Sequence, residues 1–223
     1  MIVDRIRRVV GQWAANIQTD RFLRQNLPPR VAFPDRWVLL EAALVRALVS
    51  VPNGLICEFG VWRGRTISYL ANRLITWKSS AVVYGFDSFQ GLPHDWRPGF
   101  PRGRYALDGP PDVPSNARLV SGLFHQTVPE FVQDHQESRA GFLHLDCDLY
   151  SSTGDVLYAL RLNIGEGTVI VFDEFFRYPG WRRGGEYRAF MEFMDRHPLL
   201  SFRYLGYVHR GEQVAVQITK DRR

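Results

Sequence analysis

From residue 54 onward, short apolar runs alternate with stretches of helical periodicity. Residues 55–59 (LICEF), apolar except for Glu58 and bounded by glycines, predict a first strand, with a helix over 65–76. Further strands are predicted over 81–86, 117–120, 141–145 and 168–172, and helices over 153–162 and 186–197. Two strand-like segments, 202–208 and 213–218, close the chain with no long helix between them. Alternating strands and helices imply right-handed βαβ units, and therefore an α/β fold with a mostly parallel sheet covered by helices on both faces. The closing pair adds an antiparallel edge hairpin and brings the expected total to seven strands.

The first 50 residues read differently. Over residues 1–18, Ile2, Ile6, Val9, Val10, Trp13 and Ile17 share one helical face, with Arg5, Arg7 and Arg8 elsewhere. A basic amphipathic helix can lie on a membrane, but more often such a face packs on its own domain or on a second subunit, so a homodimer is one way to cover it. Residues 26–34, with three prolines, predict a linker. A second helix is expected from Asp35, a suitable N-cap, to residue 50, with Trp37, Leu40, Leu44 and Leu48 inward. The expected division is an N-terminal helical cap over 1–50 and the main domain over 51–223. The Pro/Gly-rich stretch 90–116 is long for a connection in a compact domain and predicts a functional lid.

Composition narrows the class. With 45% hydrophobic and 23% charged residues, the chain has the balance of a soluble globular enzyme. Its net charge of +5 comes from arginines spread along the chain rather than gathered in a stripe, so no nucleic-acid partner is expected. Cys57 and Cys147 both lie in apolar strand-like runs and are expected as buried free thiols. No apolar run reaches about 18 residues and the N-terminus lacks a secretory h-region, so a cytoplasmic protein without a membrane partner is expected.

The candidate chemistry sits at predicted strand ends. The first strand runs into Glu58-Phe59-Gly60-Val61-Trp62-Arg63-Gly64, and a helix follows at once. A glycine turn there admits a ligand close to the backbone, and the helix start offers N–H groups to an anion. The G-x-G-x-x-G spacing of dinucleotide enzymes is missing. A carboxylate ligand suits the N–H groups, and a cationic one suits Glu58; S-adenosylmethionine (SAM) carries both. The second strand ends in Asp87-Ser88, where an acid can accept ribose hydroxyls or simply cap a turn.

The fourth and fifth strands end in His144-Leu145-Asp146-Cys147-Asp148 and Val171-Phe172-Asp173-Glu174. As sheet neighbours they bring Asp146, Asp173 and Glu174 together, where a hard cation such as Mg²⁺ relieves the repulsion. The bland alternative is that these acids cap helices or pair with Arg177, Arg182 or Arg183. Asp148, two residues past Asp146, is expected to face the same way on an extended segment and to take a proton from a substrate hydroxyl. His144 reads as a core residue, and Trp62, Trp96 and Trp181 as loop aromatics suited either to a pocket wall or to the core.

Four strings in order resemble the macrocin O-methyltransferase family (the TylF/MycF/NovP group): Glu58-x-Gly60-Val61-Trp62-Arg63-Gly64, Phe86-Asp87-Ser88-Phe89-x-Gly91-Leu92-Pro93, His144-x-Asp146-x-Asp148-Leu149-Tyr150-x-Ser152-Thr153 and Val171-x-Asp173-Glu174. The resemblance implies a Rossmann-like class I SAM-methyltransferase fold and methyl transfer to a hydroxyl of a small molecule, a sugar or sugar-containing natural product. It also implies that Glu58, Gly60, Val61, Trp62, Arg63, Gly64, Asp87, Ser88 and Asp146 line the SAM site. By the same resemblance Asp146, Asp173 and Glu174 hold Mg²⁺, and Asp148 is the base. Glu174 departs from the family pattern, which has a second Asp there; its extra methylene alters how it can reach a metal. The competing readings are a non-catalytic SAM- or nucleotide-binding accessory protein and a nicotinamide oxidoreductase. The acid cluster speaks against the first, the missing glycine pattern against the second.

Overall fold

The computed structural model describes residues 2–220, with the side chains of residues 2–5 and of Arg8 outside the description. The expected placements of the Ile2, Arg5 and Arg8 side chains therefore lie outside the described residues. Helix α1 (Ile2–Asn26) leads through a 3₁₀ turn (Pro29–Val31) and a two-residue strand β1 (Ala32–Phe33) to α2 (Arg36–Ser50). Then follow β2 (Leu55–Phe59), α3 (Arg65–Thr76), β3 (Val83–Asp87), β4 (Ala117–Ser121), α4 (Phe124–Asp134) and β5 (Ala140–Leu145). The chain ends with α5 (Tyr150–Ala159), β6 (Val169–Phe172), α6 (Gly185–Arg196), β7 (Leu200–Val208) and β8 (Val214–Lys220).

The sheet has eight strands in the order β1-β7-β8-β6-β5-β2-β3-β4, and only β8 runs antiparallel to its neighbours. The mostly parallel sheet and its antiparallel closing pair are as expected. The eighth strand is Ala32–Phe33, which pairs parallel with β7 inside the segment read as a linker. The hairpin is also arranged in a way the sequence did not indicate: β8 inserts between β6 and β7, so β7 lies outside it. Helix α4 was not marked by the pattern either. Pro129 sits inside it, where a proline ordinarily argues against a helix.

Both faces of the sheet are covered. On one, Leu39, Leu40, Ala43, Leu44 and Ala47 of α2 and Ile67, Leu70, Ala71 and Leu74 of α3 form a core with Ile56, Phe142 and Val169. On the other, α1, α4, α5 and α6 bring Phe22, Phe131, Val156 and Phe190 against Phe59, Phe86, Leu145 and Phe172. Asp35 caps α2 as expected, its Oδ1 accepting from the N–H groups of Trp37 and Val38 at 2.8 and 3.1 Å.

Helix α1 does not pack on its own domain through the face marked in the sequence, which leaves the second-subunit alternative untouched. Ile6, Val9, Val10, Trp13 and Ile17, the face expected to pack, are exposed, Trp13 by 66%. The helix instead continues to Asn26 and docks through Ala15, Thr19, Phe22 and Leu23, a stripe on its opposite side. Phe22 meets the Trp181 ring edge-on at 5.4 Å, and Arg177 N–H donates to Thr19 Oγ1 at 3.0 Å. No helix among the described residues is long and apolar enough to cross a membrane. Cys57 and Cys147 are buried and free.

Candidate active site

Register brings the acids to one level. Phe59 pairs with Phe86 and Leu145, and Leu145 with Phe172. The next residues out, Gly60, Asp87, Asp146 and Asp173, therefore stand side by side at the carboxyl edge, where open parallel sheets bind ligands. There they line a cavity of about 630 Å³. Its other walls include Trp62, Asp148, Glu174 and Arg36, and parts of the 90–116 stretch such as Leu92, Arg102 and Tyr105.

The glycine turn is built as the sequence suggested. Gly60 has φ +100°, and a Cβ there would collide with the Asp146 carbonyl oxygen, so β2 and β5 approach too closely for any side chain. Trp62 is held in the left-handed region at φ 47°, a conformation uncommon for a bulky residue. Asp87 explains how: its Oδ2 accepts the N–H groups of Val61 and Trp62 at 2.9 and 2.7 Å, and its Oδ1 that of Phe89 at 2.8 Å. The turn-capping role is therefore present, and Oδ1 keeps capacity for a further donor.

Several expected SAM contacts sit back from the wall. The Val61 side chain is in the core, and Arg63 stacks on the outer side over Trp62 at 4.7 Å. Gly64 caps α3 at φ +74° beside Pro111. Ser88 lines the cavity. Glu58 is fully buried behind it, its Oε1 3.0 Å from His144 Nδ1.

That contact opens a charged chain on one side of the sheet edge. His144 Nε2 lies 3.6 Å from Asp173 Oδ1, which is 3.0 Å from Arg36 Nη2. Arg36 also lies 3.6 Å from Asp146 Oδ2 and donates to Thr66 Oγ1 at 3.2 Å. Burial alone would discharge His144, but its contacts to Asp173 and Glu58 outweigh that and push it up to about 10. Burial likewise pushes Asp173 upward, yet His144, Arg36 and Gln213 hold it below its ordinary value. His144, read as a core residue, is buried and also links Glu58 to Asp173. Arg36 was missed altogether. Only its position directly after an N-cap residue marked it, and nothing in the pattern aims that helix start at a strand tip.

On the other side the acids are less well balanced. Burial, reinforced by Asp173 and further neighbouring acids, raises Asp146 and Glu174 well above the ordinary carboxylate range. Burial pushes Asp148 up to about 7, with Arg97 opposing and Asp173 and Glu212 adding to it. Asp148 reaches the cavity by a different route from the one expected. Strand β5 ends at Leu145, and Asp148 adopts φ 60°, so a left-handed turn rather than strand alternation brings it beside Asp146.

The expected metal set is divided by the same geometry. Oxygen atoms of Asp146, Asp148 and Glu174 lie within 4.8 Å of one another, and Asp146 and Asp173 group with His144. Asp173 and Glu174 are adjacent in sequence but belong to different clusters, with Asp146 shared. Glu174 Oε2 is buried without a hydrogen-bond partner among the described residues. Hard oxygen donors in excess of the cations Arg36 and His144 suit a divalent ion of the Mg²⁺ kind.

The Pro/Gly-rich stretch folds over this cavity with turns of its own. Leu92 and Gly103–Arg104 exchange backbone hydrogen bonds at 2.8 and 2.9 Å. Arg97 stacks on Trp96 at 3.9 Å and pairs with Glu212 at 3.0 Å, tying the stretch to the closing hairpin. Tyr105 meets Trp62 edge-on at 5.4 Å. Trp181, by contrast, is wholly buried in the core.

Residues 105–199 match the model of the macrocin-O-methyltransferase (TylF) family. The matched segment holds both acid-tipped strands, β5 and β6; the glycine turn and Asp87 precede it. Demethyldecarbamoylnovobiocin O-methyltransferase of Streptomyces niveus is 27% identical over 167 residues. That alignment spans 66% of this chain and 62% of the relative. The calicheamicin methyltransferase CalS11 shares the fold at a TM-score of 0.66 and 26% identity, over 81% of this chain and 77% of that chain. The apo form of CalS11, described as a TDP-rhamnose 3'-O-methyltransferase, superposes with a TM-score of 0.59 at 22% identity over the same shares. The TylF resemblance read from the sequence is borne out, and so is the class I methyltransferase fold.

Proposed function

We propose that this chain is a SAM-dependent O-methyltransferase that methylates a hydroxyl of a small molecule, a sugar or sugar-containing natural product. One observation carries the reading: a single cavity is lined by the Gly60 turn, organised by Asp87, and beside it by Asp146, Asp148, Asp173 and Glu174. The CalS11 and novobiocin relatives, named for natural products and a nucleotide sugar, support the acceptor class. A non-catalytic accessory protein has no use for four acids on a ligand cavity. On this reading residues 51–223 are the methyltransferase domain and residues 1–50 a helical cap, and a homodimer would cover the exposed apolar stripe of α1.

SAM supplies an electrophilic methyl group. For it, the Gly60–Gly64 turn offers a closely approachable backbone, its Val61 and Trp62 N–H groups held by Asp87, and Asp87 and Ser88 offer acceptors for ribose, while Glu58 stands behind the wall engaged with His144. Asp148 takes the proton of the acceptor hydroxyl as the oxygen attacks. Its carboxyl, pushed up to about 7, is matched to that exchange near neutral pH. The 90–116 stretch, pinned by Arg97 to Glu212, shields the cavity from water. Asp146, Asp173 and Glu174 would hold Mg²⁺, which lowers the pKa of a bound hydroxyl. Asp173 is free to join that set only when Arg36 releases its ion pair.

The test is a methyl-transfer assay with SAM, Mg²⁺ and a panel of sugars, nucleotide sugars and phenols, read by S-adenosylhomocysteine formation. Calorimetry with SAM and NAD⁺ accompanies it. Transfer that falls on adding EDTA supports the full reading. Binding of NAD⁺ but not SAM overturns it.

A further inference from the structure

Strands β5 and β6 part just above their last paired residues. Asp173 N–H still donates to the Leu145 carbonyl at 2.9 Å. One step further, the N–H groups of Cys147 and Glu174 have no backbone partner among the described residues. One side chain serves both. Glu186 Oε1 accepts from Cys147 N–H at 3.1 Å, and its Oε2 accepts from Glu174 N–H at 3.0 Å. A buried N–H left unpaired is costly, so this carboxylate closes a gap that the splaying of the sheet opens.

The chain around Glu186 is shaped for that contact. Glu186 lies in the first turn of α6 and is fully buried; burial raises its carboxyl well above the ordinary carboxylate range, and the bonds from the two N–H groups oppose that rise. Gly185 before it has φ +67°, and a Cβ there would collide with the Tyr178 hydroxyl. Glycine thus lets α6 begin directly beneath the strand tips.

We propose that Glu186 is a positioning residue whose carboxylate staples the tips of β5 and β6. It thereby sets the spacing between Asp146 and Asp148 on one tip and Asp173 and Glu174 on the other. The catalytic part of this inference rests on the methyltransferase reading above; the staple itself does not. Arg36 also bridges the tips, but through the Asp146 and Asp173 side chains; among the described side chains Glu186 alone accepts from the backbone of both, and so ties the two main-chain segments that carry the acids.

Glu186→Gln keeps the side-chain shape but offers one acceptor oxygen, so one of the two N–H groups faces a donor. In the folded variant, SAM affinity should stay within about threefold of wild type, because the glycine turn and Asp87 are untouched. Turnover should fall about a hundredfold with little change in acceptor KM, as expected when reacting groups are misplaced rather than removed. Amide exchange at Cys147 or Glu174 should quicken while that of β2 and β3 stays slow. Wild-type turnover, or a loss confined to SAM affinity or acceptor KM, overturns the positioning role. If the variant does not fold, exchange in the wild-type protein decides the staple: slow exchange at both amides supports it, and loop-like exchange refutes it. A wild-type protein that transfers no methyl group overturns the functional reading instead, leaving the exchange result to stand.

Discussion

Arg36, the first residue of α2, places its Nη2 3.0 Å from Oδ1 of Asp173 at the tip of β6. The pair joins a segment outside the βαβ core to the carboxylates at the sheet edge, and Asp146 lies within reach of the same nitrogen at 3.6 Å. A cation bound by these acids competes with Arg36 for them. Replacing Arg36 by methionine should therefore tighten Mn²⁺ binding by about tenfold or more, because an opposite charge at this range shifts carboxylate equilibria by at least that factor. Titration followed by electron paramagnetic resonance reads it; unchanged or weaker binding counts against competition at this site.

Asp148→Asn keeps the shape of the side chain and removes the proton acceptor. SAM binding should be retained while turnover drops by roughly 10²–10⁴-fold, the range for losing a general base. Steady-state kinetics beside calorimetry separate the two effects. Unimpaired turnover would show that another group takes the proton.

The Asp148 carboxyl, pushed up to about 7 chiefly by burial, gives a pH signature. Only the carboxylate accepts a proton, so turnover through Asp148 should rise as the pH is raised through about 7. The sign for stability is opposite. The folded chain holds this proton more tightly than the unfolded chain, whose Asp titrates near 3.9, so the Asp148 contribution to stability is lost as pH rises through about 7. Carboxyl carbon titration by NMR in EDTA should give a midpoint near 7; one near 4 would refute it.

Gly60→Ala introduces a Cβ into the Asp146 carbonyl at a backbone conformation of φ +100°. The turn must shift, and SAM binding should become undetectable by calorimetry, with a loss of stability of about 1–3 kcal/mol from strain at this position. Thermal unfolding and SAM titration check both parts. Wild-type SAM affinity in the alanine variant removes the turn from the cofactor site.

In the core, Trp181→Ala should cost about 3–5 kcal/mol, the range for truncating a large buried aromatic. Trp181 is wholly buried and packs edge-on against Phe22 at 5.4 Å and Tyr187 at 4.8 Å. Chemical denaturation reads the change. A cost under about 1 kcal/mol would mean that α1 does not depend on this contact.

The alternating architecture and the strand ends were legible in the chain alone, because a buried parallel strand is a short, mostly apolar run and the polar residue that follows it lies at the sheet edge. LICEF before Gly60 and VIVF before Asp173 are legible for that reason. The sequence also determined which residue types gather there: Asp87, Asp146, Asp148, Asp173 and Glu174 all line the cavity. Which of them touch was decided by the tertiary structure. Asp173 and Glu174 join different clusters, and Asp148 meets Asp146 through a left-handed turn that residue alternation cannot describe. Arg36 and Glu186 were invisible for a related reason. Each begins a helix, and a helix start carries no periodic signal saying which strand tip it will meet. The exposed stripe of α1 makes the same point: periodicity marked an apolar face, and docking through Phe22 and Leu23 decided that the opposite one would be buried.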